Sequence, residues 1–364
     1  MTDYCLQGAR LIDPDQKLDE VRDLAIINGK ITFQAPDKAV EKIDLNNKVI
    51  MPGLVDLRGH LQAPETFYSL SKAASSGGYT TILIMPNIGV GATVDNPGTV
   101  HLMREKASRD ADIQVLQCGS LTKGQAGKLL APLGSLKEAG IVAVSDCPNS
   151  TQNTKIFAKG LEYASMFDLP VIEFPRDMAI SDLGISHEGP LSLKMGIGGY
   201  PRMAEELFVQ RAITISASLS SRIHLSSISS GGSVDLIRNA KSDGLAISAD
   251  TTPHHLSLTE ERLLGYDSNA KTMPPLREEL DRMKILEGIT DGTLDSICSA
   301  HEPCHEHEKQ VEFDIAPAGV ISYETALSGV FEQLKKAAKD PFEVIARTMS
   351  VNPSRTIKIN NAIK

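Results

Sequence analysis

The stretch VIMPGLVDL at residues 49–57 opens the run of apolar segments that decides the fold. Seven further apolar segments follow it, and each leads into a polar or glycine-rich loop and then a helix-like pattern. These are YTTILIMPN (79–87), DIQVLQCGS (112–120), GIVAVSD (140–146), DLPVIEF (168–174), SRIHLSS (221–227), AISADTTPHH (246–255) and DSICSAHEP (295–303). Eight such βα units predict a (β/α)8 TIM barrel of the α/β class, with its functional site at the carboxyl ends of the strands.

The first 50 residues follow a different pattern, in which short apolar stretches alternate with turn residues. Asn28-Gly29 stands between the apolar runs 24–27 and 31–33, and Asn-Gly in such a position is a strong hairpin signal. This part of the chain therefore predicts a small β domain. The predicted units are a sandwich-like β domain at 1–50, the barrel at 51–320 and a helical segment packing on the barrel at 321–364.

Two stretches illustrate the predicted helices. GSVDLIRNAKSDG at 232–244 has helical apolar spacing, and it predicts a helix that is capped by Ser233 and ends at Gly244. The stretch 321–340 has a similar helical pattern, and no strand-like block follows it before the last residue. The end of the chain is thus expected to be helical.

The composition excludes several classes of protein. The 364 residues are 41% hydrophobic and 23% charged, which is typical of a soluble globular protein. Thirty-seven Lys and Arg against 46 Asp and Glu give a net charge of −9, which argues against nucleic acid as a partner. Five cysteines without a CxxC pair indicate a reducing compartment. No apolar run suits a membrane span or targeting segment, so we expect a cytoplasmic protein that does not bind membranes.

Histidines at several strand ends are the candidate functional residues. His60, His224 and the cluster at 301–307 lie at the ends of different predicted strands, where they could converge on a metal. The alternative is that each histidine is a hydrogen-bonded pocket residue. In the cluster, His301, Cys304, His305 and His307 alternate with glutamates, and no spacing there fits a tetrahedral zinc motif. A solvated loop is the favoured interpretation of that cluster.

Several motifs together make the chain similar to a known family. They are MPGLVDL (51–57), GGYTTILIMPN (77–87), GSLTKG (119–124), LKEAGIVAVSD (136–146), TPHHLSLTEE (252–261), PPLRE (274–278), DGTLDSI (291–297) and VNPSR (351–355). Over almost its whole length the chain resembles bacterial type I dihydroorotases of the amidohydrolase superfamily. The resemblance implies a metallo-dependent-hydrolase-like barrel in pyrimidine biosynthesis. Active members interconvert carbamoyl aspartate and dihydroorotate with a metal that activates water and an aspartate that moves the proton.

The first strand end departs from the family pattern. Active members have Asp-x-His-x-His-x-Arg there, which provides two metal-binding histidines and an arginine for the substrate carboxylate. This chain has Asp56, Arg58, His60 and Gln62 at those positions. The resemblance therefore implies one retained metal ligand at His60, one lost at Arg58, and a changed substrate-pocket residue at Gln62.

The other strand ends show further losses. Phe174 stands where the family has a metal-binding histidine, and Cys147 lies in the stretch that supplies a bridging carboxylate. Ala300 replaces the aspartate that binds metal and moves the proton, so the resemblance implies no catalytic residue here. His224 is the second retained ligand, and Asn87 is the clearest retained substrate-side residue.

Two substrate contacts implied by the resemblance are also replaced. Cys304 is at a position where the family has a histidine, and Met273 is where the family has an asparagine. The predicted substrate pocket thus comprises Asn87, Arg58, Gln62, Met273 and Cys304.

The remaining ligands lead to three hypotheses. Two neutral imidazoles fall short of the three protein ligands of a catalytic zinc site, so we expect no metal or other cofactor. The first hypothesis is a dihydroorotase-like pseudoenzyme, a homo-oligomer that acts as a structural subunit or partner of aspartate transcarbamoylase. The alternative is an active zinc-dependent cyclic amidohydrolase with a rearranged site. Its improvised ligands are His60, His224, His301 and Cys304 or Cys147.

In the third hypothesis the protein no longer catalyses a reaction but still binds a ligand in this pocket and senses it, through Asn87, Arg58 and Arg277.

A related hypothesis places the Arg58 guanidinium in the vacated metal site as a fixed cation, with Asp56 and Asp146 as partners. The alternative is that Arg58 points to solvent.

The resemblance also bears on the small β domain. Family members continue after the VNPSR segment with strands that complete this domain, whereas this sequence ends nine residues after Arg355. We therefore expect a β domain that is truncated of its usual C-terminal strands and rests on residues 1–50.

Overall fold

The N-terminal strands form two small sheets. The structure is a computed structural model, and it describes residues 3–34, 40–89, 92–182 and 184–360. The strands are β1 (Tyr4–Gln7), β2 (Arg10–Asp13), β3 (Leu18–Val21), β4 (Leu24–Ile27), β5 (Lys30–Thr32), β6 (Glu41–Asp44) and β7 (Val49–Ile50). Their orders are β5-β4-β1-β6 and β3-β2-β7. Ala9, Leu11 and Leu24 form the buried core between them.

The predicted hairpin is confirmed. Strands β4 and β5 pair antiparallel and put Ile27 opposite Lys30, so Asn28-Gly29 is a two-residue turn. Asn28 has φ 51° and Gly29 has φ 74°. This left-handed backbone at both turn residues is what a tight hairpin requires and what Asn-Gly adopts readily.

Eight parallel strands form the barrel, so the predicted fold is confirmed. The remaining strands are β8 (Leu54–Gly59), β9 (Tyr79–Ile84), β10 (Gln114–Ser120), β11 (Ala143–Ser145), β12 (Val171–Glu173), β13 (Ser186–His187), β14 (Gly199–Tyr200), β15 (Ile223–Leu225), β16 (Ile247–Thr251) and β17 (Ser296–Ile297). The barrel order is β17-β16-β15-β12-β11-β10-β9-β8, while β13 and β14 pair separately. A bridge between Gly59 and His301 brings the two edge strands together.

Helices alternate with the barrel strands and continue after the last one. They are α1 (Phe67–Ser76), α2 (Pro97–Asp110), α3 (Leu133–Ala139), α4 (Thr154–Ser165), α5 (Met178–Ser181), α6 (Pro190–Met195), α7 (Met203–Leu219), α8 (Gly231–Ser242), α9 (Pro253–Ser257), α10 (Glu279–Asp291), α11 (Glu306–Lys309), α12 (Tyr323–Ala337), α13 (Pro341–Ala346) and α14 (Asn352–Thr356). Short 3-10 turns at Lys123–Gln125, Glu260–Leu263 and Ser268–Ala270 and a π turn at Arg347–Val351 complete the described structure. Within the described ranges, none of the helices is long and apolar enough to cross a membrane.

The cap predicted for α8 was wrong by three residues. Ser230, not Ser233, is the N-cap, and its hydroxyl accepts from the Gly232 amide at 3.2 Å. Ser233 lies inside the first turn, where its side chain is buried. The predicted end of the helix is confirmed, since Gly244 has φ 78° directly after the C-cap Asp243. A chain containing three serines near the helix start offers several caps, and tertiary packing selects among them.

Two apolar layers position the site. The outer layer packs the strands against the helices, while an inner layer fills the barrel with side chains that include Val55, Leu57, Leu83 and Ile172. Alternation of side chains along each strand produces these two layers. The inner layer supports the carboxyl ends of the strands, where the candidate residues lie.

Candidate functional site

Arg58, at the end of β8, is buried inside the barrel mouth. Its side chain is 1% exposed, so the interpretation that it points to solvent was wrong. The guanidinium carbon lies 4.6 Å from the centre of the Phe174 ring, and the nearest carboxylate is that of Glu302, at 4.0 Å. One Nη donates to the Ser227 hydroxyl and the other to the Met273 carbonyl at 3.4 Å. Phe174, which replaces a histidine of the family, thus stabilises the Arg58 guanidinium through a cation–π contact.

The two acidic partners predicted for this guanidinium were wrong. Asp56 accepts from the backbone N–H and hydroxyl of Ser299, each at 2.7 Å, and from the Tyr323 hydroxyl at 2.8 Å. Asp146 accepts from the Thr122 N–H at 2.9 Å and from its hydroxyl at 2.6 Å. Both carboxylates are bonded to neutral donors of nearby loops and helices. These neutral donors, rather than the guanidinium, are the partners of the two carboxylates.

His60 offers one free imidazole lone pair. Its Nδ1 lies 2.8 Å from the Asn87 side-chain oxygen, which can only accept, so Nδ1 carries the proton. Its Nε2 is buried and has no hydrogen-bond partner. Burial lowers the pKa of His60, so the ring is neutral and Nε2 is unprotonated.

His224 has no free lone pair. Its Nε2 lies 2.9 Å from the Asp250 carboxylate, which accepts the ring proton. Its Nδ1, 2.8 Å from the Ser248 hydroxyl, then accepts the hydroxyl proton. Both ring nitrogens are therefore hydrogen-bonded to protein side chains, which would have to be displaced for His224 to bind a metal.

Asp250 joins this histidine to the barrel mouth. Its carboxylate also accepts from the Ser226 hydroxyl at 3.1 Å, from the Ser227 amide and from the Cys298 thiol at 3.2 Å. Because Ser227 also accepts from Arg58, a continuous polar network runs from β15 and β16 to β8. The sequence prediction missed Asp250. The only signal was an acidic residue inside the apolar run AISADTT (246–252).

The residues present at the mouth do not fit a divalent metal. Phe174 and Ala300 have no donor atom, and burial raises the pKa of the Cys147 thiol to about 11, so it is protonated at neutral pH. His60 supplies one lone pair, and Arg58 places a positive charge in the same space. A catalytic zinc site needs three protein ligands and an open position.

The improvised ligand set does not come together either. His301 lies 3.3 Å from the Glu65 carboxylate, accepts the Ser322 N–H at 3.1 Å, and stacks on Tyr323. It is buried, which a solvated loop does not explain, whereas His307 is exposed on α11. Throughout the described ranges, the one group of three metal-type ligands is His187, Glu278 and Asp281, which lies outside the predicted site.

That group is an ion-pair network. Arg202 lies 2.5 Å from Glu278 and 2.7 Å from Asp281, so both carboxylates already have a cation. Arg277 donates to His187 Nδ1 at 3.1 Å, which leaves the ring proton on Nε2. Burial lowers the pKa of His187 to about 4. A metal would therefore have to displace a proton and two guanidinium contacts.

The predicted pocket residues lie in different surroundings. Gln62 donates to the Pro303 carbonyl at 2.7 Å, and Asn87 contacts His60. Met273 and Ala300 border a narrow space with no room for a water-sized molecule. Cys304 lines a separate, larger cavity. The mouth itself is thus smaller than the roughly 300 to 1,000 Å³ of common small-molecule pockets.

Arg277 does not belong to the mouth. It is 2% exposed, and its guanidinium donates to Ser229, Tyr200 and His187 and lies 3.6 Å from Glu205. Its predicted use as a ligand-sensing residue was therefore wrong. Its contacts instead tie the 3-10 and α10 region to α7.

Glu173 gives the barrel a predicted pH dependence. Burial raises its pKa to about 7, although Arg211 Nη2 lies 2.9 Å away and favours the charged form. An unfolded glutamate has a pKa near 4.5, so this group's stabilising contribution is complete below pH 4.5 and is lost as the pH rises through 7. Between pH 4.5 and 7, we expect the free energy of unfolding of wild type to fall by about 2 to 3 kcal/mol more than that of Glu173→Gln. Urea denaturation of both proteins across this pH range measures the two free energies. A difference between them that does not change with pH would contradict the prediction.

Solved structures of two other proteins share the fold of this chain. L-Hydantoinase from Arthrobacter aurescens matches with a TM-score of 0.83 over 98% of this chain and 83% of that chain, at 19% sequence identity. Dihydropyrimidinase from Brevibacillus agri NCHU1002 matches with a TM-score of 0.84 over 100% and 84%, at 20% identity. The fold is that of the amidohydrolase TIM barrels.

Sequence comparisons identify the family. The dihydro-orotase-like family matches residues 47–233. A dihydroorotase of Endomicrobium trichonymphae is 36% identical over 359 residues, which cover 97% of this chain and 85% of that protein. A dihydroorotase of Pelobacter propionicus is 39% identical over 332 residues, covering 88% and 78%. The chain belongs to the dihydroorotase family.

Proposed function

We propose that this chain is a dihydroorotase-family pseudoenzyme, whose barrel mouth does not support metal-assisted hydrolysis. The observation that carries the proposal is the buried Arg58 guanidinium on Phe174, which lies among the positions that the resemblance assigns to metal ligands. A divalent cation there would be repelled by the fixed charge of Arg58, and such repulsion is stronger in a buried site than in water. Of the metal ligands that the resemblance implies, His60 alone keeps a free lone pair within the described residues.

A second candidate is an active cyclic amidohydrolase with a rearranged zinc site. The relatives support it, since proteins named dihydroorotase are 36% to 39% identical to this chain over most of its length. This candidate requires His60, His224, His301 and a cysteine to change partners. The hydrogen bonds of His224 with Asp250 and of His301 with Ser322 would have to break.

Metal content and activity distinguish the two candidates. We expect the full chain, purified without chelators and then incubated with zinc, to retain far less than one zinc per chain by elemental analysis. We also expect no hydrolysis of dihydroorotate above the buffer rate, with or without a chelator. The Endomicrobium trichonymphae dihydroorotase, treated identically, serves as the control. Stoichiometric zinc with chelator-sensitive hydrolysis would overturn the proposal and establish the second candidate.

The proposed role is that of a structural subunit in pyrimidine biosynthesis, in the cytoplasm. We propose that the chain forms a homo-oligomer and associates with aspartate transcarbamoylase. The intact eight-stranded barrel, with its buried inner and outer layers, supports a retained scaffold. Native mass spectrometry of the chain alone and mixed with that enzyme tests the role. A chain that stays monomeric and never associates would contradict it.

A further inference from the structure

A cavity of about 650 Å³ lies beside the barrel mouth, and of the predicted pocket residues only Cys304 is among its described lining residues. It opens between α9 and α12 and is bounded by the segment 302–309. Its volume lies within the usual range for small-molecule sites, about 300 to 1,000 Å³. Pro253, Leu258, Val320 and Ile321 give it an apolar lining.

Two polar atoms in residues that line this cavity lack partners. His254 Nδ1 and Ser257 Oγ, both on α9, are buried and have no hydrogen bond within the protein. Buried polar atoms are nearly always paired, and leaving one unpaired costs about 1 to 3 kcal/mol. A ligand that fills the adjoining cavity and moves the atoms covering these two groups can supply the missing partners.

The charged residues of the lining favour a cation. Glu302 and Glu306 contribute carboxylates, and Lys309 is the one Lys or Arg among the lining residues that the structure describes. Its ammonium group donates to the carbonyls of Ser268 at 3.0 Å, Pro317 at 2.8 Å and Gly319 at 2.9 Å. These three bonds use all its hydrogens, so it has none left to donate to an anion.

His254 adds no positive charge to the lining. Burial lowers its pKa well below the usual value, and the neighbouring Arg58 and His255 act in the same direction. The ring is therefore neutral at physiological pH. The cavity thus presents carboxylates, an unpartnered hydroxyl and a neutral imidazole, without a free cation.

We propose that this cavity binds a small organic cation, namely an amine with an apolar body. The ammonium group is held by Glu302 and Glu306 with the Ser257 hydroxyl, and the apolar body packs on Leu258 and Ile321. Charge-assisted hydrogen bonds of this kind are stronger than neutral ones. The proposal goes beyond the pseudoenzyme role and does not depend on the metal content of the barrel mouth.

The cavity shares a wall with the mouth. His254, Glu302, Gly319 and Val320 border both this cavity and the small space beside Ala300. Glu302 is also the nearest acid to Arg58, at 4.0 Å. A bound amine would therefore contact a residue that faces the buried guanidinium.

A matched pair of probes tests the charge preference. Phenethylamine and 3-phenylpropionate have similar apolar bodies and opposite charges, and binding of each to the full chain is measured by ligand-observed NMR and calorimetry. We expect phenethylamine to bind and 3-phenylpropionate not to bind. Equal binding of the two probes, or no binding of the amine, would overturn the proposal.

Gly329→Leu tests the location without a charge change. A Cβ at Gly329 would lie 3.7 Å from Ser257 Oγ, which is an ordinary contact, and because Gly329 lines the cavity we expect the rest of a leucine side chain to extend into it. Leucine also favours the α12 helix over glycine, so the variant is expected to fold. We expect it to lose amine binding with no fall in Tm. Undiminished binding to the folded variant would overturn the proposal.

Glu302→Gln and Glu306→Gln test the carboxylates one at a time. We expect each to weaken phenethylamine binding by about tenfold or more, as the loss of a charged hydrogen-bond acceptor does. Glu332→Gln on α12 is the matched control, because Glu332 is exposed and outside the cavity. Its affinity should equal that of wild type. If all three variants bind alike, the carboxylates do not hold the amine and the proposal is wrong.

Discussion

Asp250→Asn is expected to lower the free energy of unfolding by about 3 to 5 kcal/mol. The carboxylate is 0% exposed and accepts from four donors, on His224, Ser226, Ser227 and Cys298. An asparagine amide would place its own N–H groups against at least one of these donors, and a buried clash between donors leaves both unsatisfied. Urea denaturation followed by circular dichroism measures the change.

Asp243→Asn is the control for the charge change. Asp243 is the exposed C-cap of α8, so its replacement should alter stability by less than about 0.5 kcal/mol. If Asp250→Asn is as stable as this control, the buried network does not depend on an acceptor at position 250. The interpretation of His224 as a ring held by protein partners would then fail.

The fold could be predicted because each barrel strand carries its own signal. Apolar runs such as 79–87 and 112–120 are bounded by polar loops, and a count of eight parallel units leaves few architectures. The Asn28-Gly29 hairpin is equally local, since its turn geometry depends on two residues. The α8 cap could not be resolved in this way, because several serines compete and packing decides.

The candidate site could be predicted only in part. The changed positions at Arg58, Phe174 and Ala300 are visible in the sequence, but the partners of Arg58 are not. Its guanidinium reaches Ser227, which is 169 residues away, and the nearest acid comes from the last strand end. Such pairings depend on side-chain directions across the barrel, which sequence spacing does not specify.

Family membership and catalytic activity rest on different residues of this chain. The relatives are named dihydroorotase, whereas this chain buries a guanidinium in the mouth and, of the metal ligands that the resemblance implies, keeps a free lone pair at His60 alone among the described residues. Identity of 36% over 97% of the chain establishes the scaffold. Catalysis depends on a few side chains, and their loss changes overall identity very little. The donor set is therefore the more direct evidence on activity, and the zinc measurement tests it.

Arg277→Met is expected to lower the free energy of unfolding by about 3 to 5 kcal/mol. The reason is the Glu205 carboxylate, which is 0% exposed and lies 3.6 Å from the guanidinium. Without Arg277, a buried charge would lack its cation, and the Tyr200 carbonyl and the Ser229 hydroxyl would lose a donor. Chemical denaturation of wild type and variant at pH 7 measures the loss.

Two further variants separate this pair from a general effect of removing arginine. Arg262→Met removes an exposed arginine that lies 3.7 Å from Asp267, and a surface pair of this kind should cost less than about 1 kcal/mol. Combining Arg277→Met with Glu205→Gln removes the uncompensated charge, so the double variant should be more stable than Arg277→Met alone. If Arg277→Met behaves like Arg262→Met, or the second substitution restores nothing, then Arg277 does not stabilise the fold through Glu205. The conclusion that Arg277 is a structural residue and not a ligand-sensing one would then lose its support.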